Sequence, residues 1–272
     1  MTHFAQPPQP DRSELFVVPL KNSTALRTPV FGGRSGQSGA IVDPRTNRII
    51  LTESAIEKRL VKTLLADRRV KSVREQAAEL PHVDEHGATH THTIDVIAQL
   101  DDDQRVGYLA KDEHAATKHD LRGFAERLAG QTPRSTADRL QVVTSRDMPE
   151  WHVQNTSLLV SVRRDRRTHV DDELRMLAPQ LLTPISIGEL SAMLGGGQVA
   201  FRPIARALFY GTLTYLGLGR ITKDCKVMFS GKVEPDFDLL GPEVDPTQEE
   251  PPVLRRPKKA KPKKPRASRR SS

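Results

Sequence analysis

The 272-residue chain is 36% hydrophobic and 28% charged, with a formal net charge of +8. That balance supports one or two folded domains with polar segments beside them. It offers no membrane-spanning helix, because no apolar run approaches the roughly 18–20 residues such a span needs, and a single cysteine, Cys225, excludes an internal disulfide.

The net charge is local. Ten Lys and Arg residues and no acid lie between Arg255 and Arg270, and outside that block 32 basic residues face 34 acidic ones. Such a block repels itself, is expected to stay unfolded, and is drawn to polyanions. The start, Met1–Asp11, lacks the basic and apolar regions of a secretory signal. With Cys225 read as an ordinary thiol of a reducing compartment, the expected location is the cytoplasm, close to the nucleoid.

Residues 1–40 read as a flexible arm. Gly32, Gly33, Gly36 and Gly39 suggest a phosphate loop, but no Gly-Lys-Ser/Thr ending follows and no apolar strand precedes, so a flexible connector is expected. Ile49–Leu51 suits a short strand. Ser54 and Glu57 form a capping-box pair, after which Ile56, Leu60, Leu64 and Leu65 recur at helical spacing to about Ala66. Strands are expected over Val70–Gln76, Thr91–Leu100 and Arg105–Lys111, the last two joined by the turn Asp101–Asp103. A helix over Asp120–Ala129, a strand over Leu140–Thr144 and a helix over Trp151–Val162 complete a unit ending near residue 170. The tight turn demands antiparallel pairing, and the helical crossover permits parallel pairing. The expected product is a mixed sheet flanked by helices.

A second unit is expected over 171–232. Ser186 and Glu189 repeat the capping-box spacing, with Ile187, Leu190 and Leu194 following. After the turn Gly195–Gly197, the residues Ile204, Ala207, Leu208 and Leu213 give a second helix. Gly217–Phe229 reads as a hairpin with Ile221 and Val227 on its strands. Helix, turn, helix and hairpin is a winged-helix-like layout. Residues 233–272 are expected to be a disordered linker and basic tail.

The hairpin brings chemistry together. Pairing Leu100 with Gln104 places Asp95 opposite Leu109, on the face of Thr93 and Ile97, with Lys111 one step diagonal. Glu57 lies at the margin of the helix's apolar stripe and can point at the same surface. Two carboxylates can hold Mg²⁺ through oxygen, and an ammonium can stabilise charge building on a phosphate. Two structural alternatives stand beside this: Glu57 as the capping partner of Ser54, and Asp95–Lys111 as an ordinary buried ion pair.

Taken together, Glu53–Gln76 (ESAIEKRLVKTLLADRRVKSVREQ), His92–Leu100 (HTIDVIAQL) and Arg105–Lys111 (RVGYLAK) resemble the PD-(D/E)-x-K nuclease core. With Gln141–Val162 (QVVTSRDMPEWHVQNTSLLVSV), which carries Thr-x-x-Asp and a helix with Asn and paired Leu, the resemblance is to TnsA-type endonuclease subunits of heteromeric transposases. It covers about residues 45–230. It implies a restriction-endonuclease-like α/β domain over 41–170, with Glu57, Asp95 and Lys111 as catalytic residues and Glu57 and Asp95 on Mg²⁺. It also implies DNA, a transposase subunit and an ATPase regulator as partners. One position departs from the pattern: Leu109 stands where those proteins carry Glu or Gln, so metal-dependent cleavage is expected to be weakened. The alternative is a catalytically inactive nuclease-fold protein that binds DNA or regulates.

For DNA contact the expected residues are Arg163, Arg164, Arg166 and Arg167 after the first unit, Arg202 and Arg206 in the second, and Lys258, Lys259, Lys263 and Lys264 in the tail. His82, His86, His90 and His92 read as an exposed loop rather than a Zn²⁺ site. Trp151 and Tyr215 read as core anchors.

Overall fold

The computed structural model describes residues 19–26, 37–84 and 86–232. The glycine-rich reading at Gly32, Gly33 and Gly36, and the basic tail with Lys258, Lys259, Lys263 and Lys264, lie outside the described residues. Gly39 belongs to a strand.

The first layer is a mixed four-stranded sheet in the order β3-β4-β5-β6, formed by Val70–Val83, Thr89–Leu100, Arg105–Ala110 and Arg139–Val143. β3, β4 and β5 run antiparallel, and β6 joins β5 in parallel, as the tight turn and helical crossover require. The hairpin turn closes with Leu100 N–H donating to Gln104 O at 2.8 Å, with Asp103 in the left-handed region. β3 and β4 extend further than their apolar runs, so the histidine segment expected to be a loop is a long hairpin: His82 pairs with His90, and Leu80 with His92.

Helix α1, Ala55–Ala66, covers one face of this sheet. Leu60, Val61, Leu64 and Leu65 enter a core with Val73, Val96, Ala98, Val106 and Tyr108. A short helix α2, Glu113–Lys118, and α3, Leu121–Gln131, cover the other face. Leu121, Ala125 and Leu128 pack there on Ile94, Ile97 and Leu109. Gly107 is required at the centre of β5: a Cβ there would stand 2.7 Å from a Leu140 methyl and 3.3 Å from Ile94. A separate hairpin, β1 (Gly39–Asp43) and β2 (Arg48–Thr52), is tied to β3 by Arg48, which meets the buried Glu75 carboxylate at 2.7 Å. Residues 19–26 lie against this region, with Lys21 bridged to Arg48 and Leu26 N–H donating to Gln76 O.

Helix α4, Glu150–Val162, is apolar on two sides. Val153 and Val160 join the first core, while Leu158 and Leu159 join the C-terminal one. Such a helix must be enclosed between layers. The C-terminal unit consists of α5 (His169–Leu177), β7 (Ile185–Ser186), α6 (Ile187–Met193), α7 (Gly197–Tyr210), β8 (Leu213–Tyr215) and β9 (Lys226–Phe229). Its small sheet has the order β7-β9-β8. The expected hairpin is corrected here. Leu213 ends no helix but begins β8, and Ile221 lies in the connection between β8 and β9, because α7 stops at Gly211 in the left-handed region at φ 80°. α5 begins at the boundary expected between the two units, where no helix was expected, capped by Thr168 and Asp171.

Trp151 is 43% exposed and anchors no core, whereas Tyr215 packs on the C-terminal core. Among the described residues no helix is long and apolar enough to cross a membrane.

Candidate active site

Asp95 sits where the sheet is irregular on both sides. Towards β3, Glu75 pairs with Val96 and Ala78 with Ile94, so Gln76 and Ala77 together oppose Asp95 in a bulge, with Gln76 at φ 45°. Towards β5, the ladder runs from Gln99–Arg105 to Val96–Tyr108 and goes no further. The next amide, Ala110 N–H, donates instead to Asp95 Oδ2 at 2.7 Å. Bulges re-aim side chains and end pairing, which is the effect seen here.

This corrects the strict alternation expected for β4. Ile94 and Ile97 share the core beneath α3, while Val96 and Ala98 face α1, so the period of two fails across Asp95. Asp95 therefore does not simply follow Ile97. Its carboxyl is pushed up to about 6, first by burial, with Glu57 and Glu53 raising it further and the Ala110 N–H and the Lys111 charge opposing.

Glu57 is set by its own helix. Ser54 Oγ accepts from Glu57 N–H at 3.1 Å and donates back to Glu57 Oε1 at 2.9 Å, while Glu53 N–H donates to Oε2 at 2.8 Å. The capping role is thus present. Glu57 is also buried and held above the usual carboxylate range, first by burial, while Lys111 draws it down. Capping and membership of the acidic cluster coexist. Lys111 is exposed just past the end of β5, its N–H donating to Val143 O at 3.1 Å.

The three expected residues are therefore electrostatically coupled: a buried and a half-buried carboxylate of like charge and one exposed ammonium. Leu109 takes no part. It is 1% exposed and buried beneath α3 with Ile94, Ile97 and Leu128. Among the described residues no three His, Cys, Asp or Glu side chains come together as a metal cage. The chemistry of the donor set still suits Mg²⁺, which is commonly held by one or two carboxylates plus waters and substrate phosphate.

The Thr-x-x-Asp and Asn motifs have structural roles. Thr144 Oγ1 donates to Asp147 Oδ2 at 2.9 Å and Thr144 N–H to the same oxygen at 2.8 Å, capping a short 3-10 turn. Asn155 Nδ2 donates to Gly219 O at 2.9 Å, and its Oδ1 accepts from Ile221 N–H at 2.8 Å, fastening α4 to the β8–β9 connection.

Two of the arginines expected on phosphate are interior. Arg206 is 5% exposed, paired bidentately with Asp171 at 2.8 and 3.1 Å, and donates to Val162 O and Asp165 O. Arg163 is 9% exposed, donates to Leu65 O at 2.9 Å and lies 4.4 Å over the Phe209 ring. Both hold the layers together, and neither stands on the exposed surface with Arg164 and Arg166. Arg202 is engaged by Asp165 at 2.8 Å and Arg167 by Asp172, while Arg164 and Arg166 are exposed. The sequence reading passed over Lys58 and Lys62. They stand one helical turn apart on α1, and Lys62 and Arg164 line one groove between α1 and α4. Burial and the Lys58 charge lower the Lys62 ammonium, and Lys62 donates to Ser157 Oγ at 3.0 Å. Their i,i+4 spacing outside the apolar stripe was the available signal.

No protein-family model matches the chain, and no curated protein matches it.

Proposed function

We propose that this chain acts on DNA, with a restriction-endonuclease-like domain and a winged-helix-like module, in the manner of a TnsA-type endonuclease subunit. The observation carrying this reading is Asp95, bracketed by a bulge and a broken ladder and coupled to Glu57 and Lys111. Glu57 and Asp95 would hold Mg²⁺. When bound, that ion polarises a phosphodiester and lowers the pKa of a water beside it. Lys111 is the exposed cation of the cluster and stabilises the negative charge that builds on the phosphate. Lys58, Lys62 and Arg164 take backbone phosphates, which positions the strand without reading sequence. The basic tail adds salt-sensitive attraction. The transposase subunit and ATPase regulator remain part of this reading as partners.

Supercoiled plasmid incubated with Mg²⁺ or Mn²⁺ tests it. Nicking that disappears in Asp95→Ala supports the enzyme. A second reading, a nuclease-fold protein that binds DNA without cutting it, is favoured by Leu109, whose burial beneath α3 gives the pair of acids no ligand from that position. Retarded plasmid mobility with no nicking under either metal would select that second reading.

A further inference from the structure

A second site lies at the junction of the two units. There, the end of α1, α4, the end of α7 and the β1–β2 turn enclose a cleft of about 970 Å³. Its volume falls within the range of small-ligand pockets, about 300–1,000 Å³. Arg45, Arg68, Arg69 and Arg163 contribute to its wall, against two acids, Asp67 and Asp101. The acids are not free to neutralise them all, because Asp67 already pairs with Arg69 at 2.7 Å.

The decisive residue is Arg163. Its guanidinium is nine-tenths buried, and its Nε–H is buried without a hydrogen-bond acceptor. Among the described residues no carboxylate stands in salt-bridge contact with it. Its electrostatic neighbours are another guanidinium, Arg45, together with Asp43 and Tyr210, and it shares a side-chain hydrogen bond with Tyr210. The Asp43 oxygens accept from Arg45 N–H and the Thr46 hydroxyl. Among the described residues the Arg45 guanidinium donates to the Asp67 carbonyl, at 3.3 Å. Burial lowers both guanidiniums, and the Arg45 charge lowers Arg163 further. A buried guanidinium with no carboxylate in contact and one N–H unsatisfied is costly, and a second guanidinium nearby adds to that cost. Planar guanidiniums match phosphate oxygens through paired N–H donors. The remaining wall offers ring and aliphatic surface from Phe209, Tyr215, Leu159 and Leu208.

We propose that this cleft binds a phosphate group carried on a ring-bearing body, that is, a nucleotide, with Arg45 and Arg163 on the phosphate. The nucleotide is either free or the end of a DNA strand. The site is distinct from the Glu57–Asp95 cluster, and the proposal does not rest on cleavage.

The test uses the full-length protein at constant ionic strength. Thermal unfolding is recorded against pyrophosphate, dAMP and a 5′-phosphorylated oligonucleotide. A ligand that binds only the folded state raises Tm with its concentration. The single Trp151 packs on His152, which lines the cleft, so its fluorescence gives a second readout. Arg45→Gln, on a half-buried side chain, is expected to weaken the response about tenfold or more, the loss of one charge-assisted contact. Arg163→Met is the companion variant, and Arg45→Gln alone decides if that protein does not fold. The cationic tail is the same in all variants, so its contribution cancels. Saturable stabilisation by dAMP identifies a free nucleotide, and saturation by the oligonucleotide alone identifies a strand end. Equal responses from the wild type and Arg45→Gln, or no saturable response, would overturn the proposal.

Discussion

Replacing Asp95 with asparagine should make the protein more stable at alkaline pH and leave it nearly unchanged in acid. The fold holds this carboxyl at about 6, against an ordinary 3.8. Between those values the folded chain keeps a proton that the unfolded chain has released. Stability therefore falls as pH rises through that window and stays low above it. One pKa unit corresponds to about 1.36 kcal/mol, so slightly more than two units amount to about 3 kcal/mol. An amide in the same place still offers an oxygen to Ala110 N–H, and carries no charge for Glu57 and Glu53 to repel. Urea denaturation in EDTA, followed at pH 8, 7, 6, 5 and 4, measures the difference. Asp95→Asn should exceed the wild type by about 2–3 kcal/mol at pH 8, and the gap should close by about pH 4. A gap independent of pH, or an Asp95→Asn protein weaker at pH 8, would refute the reasoning.

Other consequences are as direct. Asn155→Ala leaves the Ile221 N–H buried and unpaired and should cost about 2–3 kcal/mol in urea denaturation; Gly219 O keeps the Tyr215 hydroxyl at 3.3 Å and adds little. Arg206→Met takes the counter-charge from Asp171, which keeps its Thr168 hydrogen bonds, and should cost about 3 kcal/mol by the same measurement, with DNA affinity in filter binding unchanged. Gly211→Ala places a methyl at φ 80° and 2.1 Å from the Arg68 guanidinium, so Tm should fall in a thermal scan. Leu109→Glu puts a carboxylate into the apolar layer under α3; it should lower Tm sharply and fail to increase nicking in the plasmid assay with Mn²⁺.

The parts of the fold legible in sequence were those fixed by local rules. The Ser54–Glu57 cap, the Asp101–Asp103 turn and the register setting Val96 against Tyr108 all follow from short-range spacing. What escaped depends on contacts distant in the chain. The β3 bulge at Gln76 has no signature in its own residues, yet it breaks the alternation of β4 at Asp95. Arg163 and Arg206 look like their exposed neighbours Arg164 and Arg166 in the sequence. Only the packing of α7 against α4 makes them interior. α5 was legible in principle, because Thr168 and Asp171 carry the capping spacing, but the charged run around them obscured it.

Helix α4 gives Val153 and Val160 to one core and Leu158 and Leu159 to the other. When the chain is cut near residue 163, the helix stays with the first unit, and the C-terminal unit loses the side of its apolar interior formed by Leu158 and Leu159. Melting should therefore proceed as one transition, and the C-terminal unit is not a cassette that recombination can exchange at that boundary. Any viable splice has to carry this helix together with both of its neighbours.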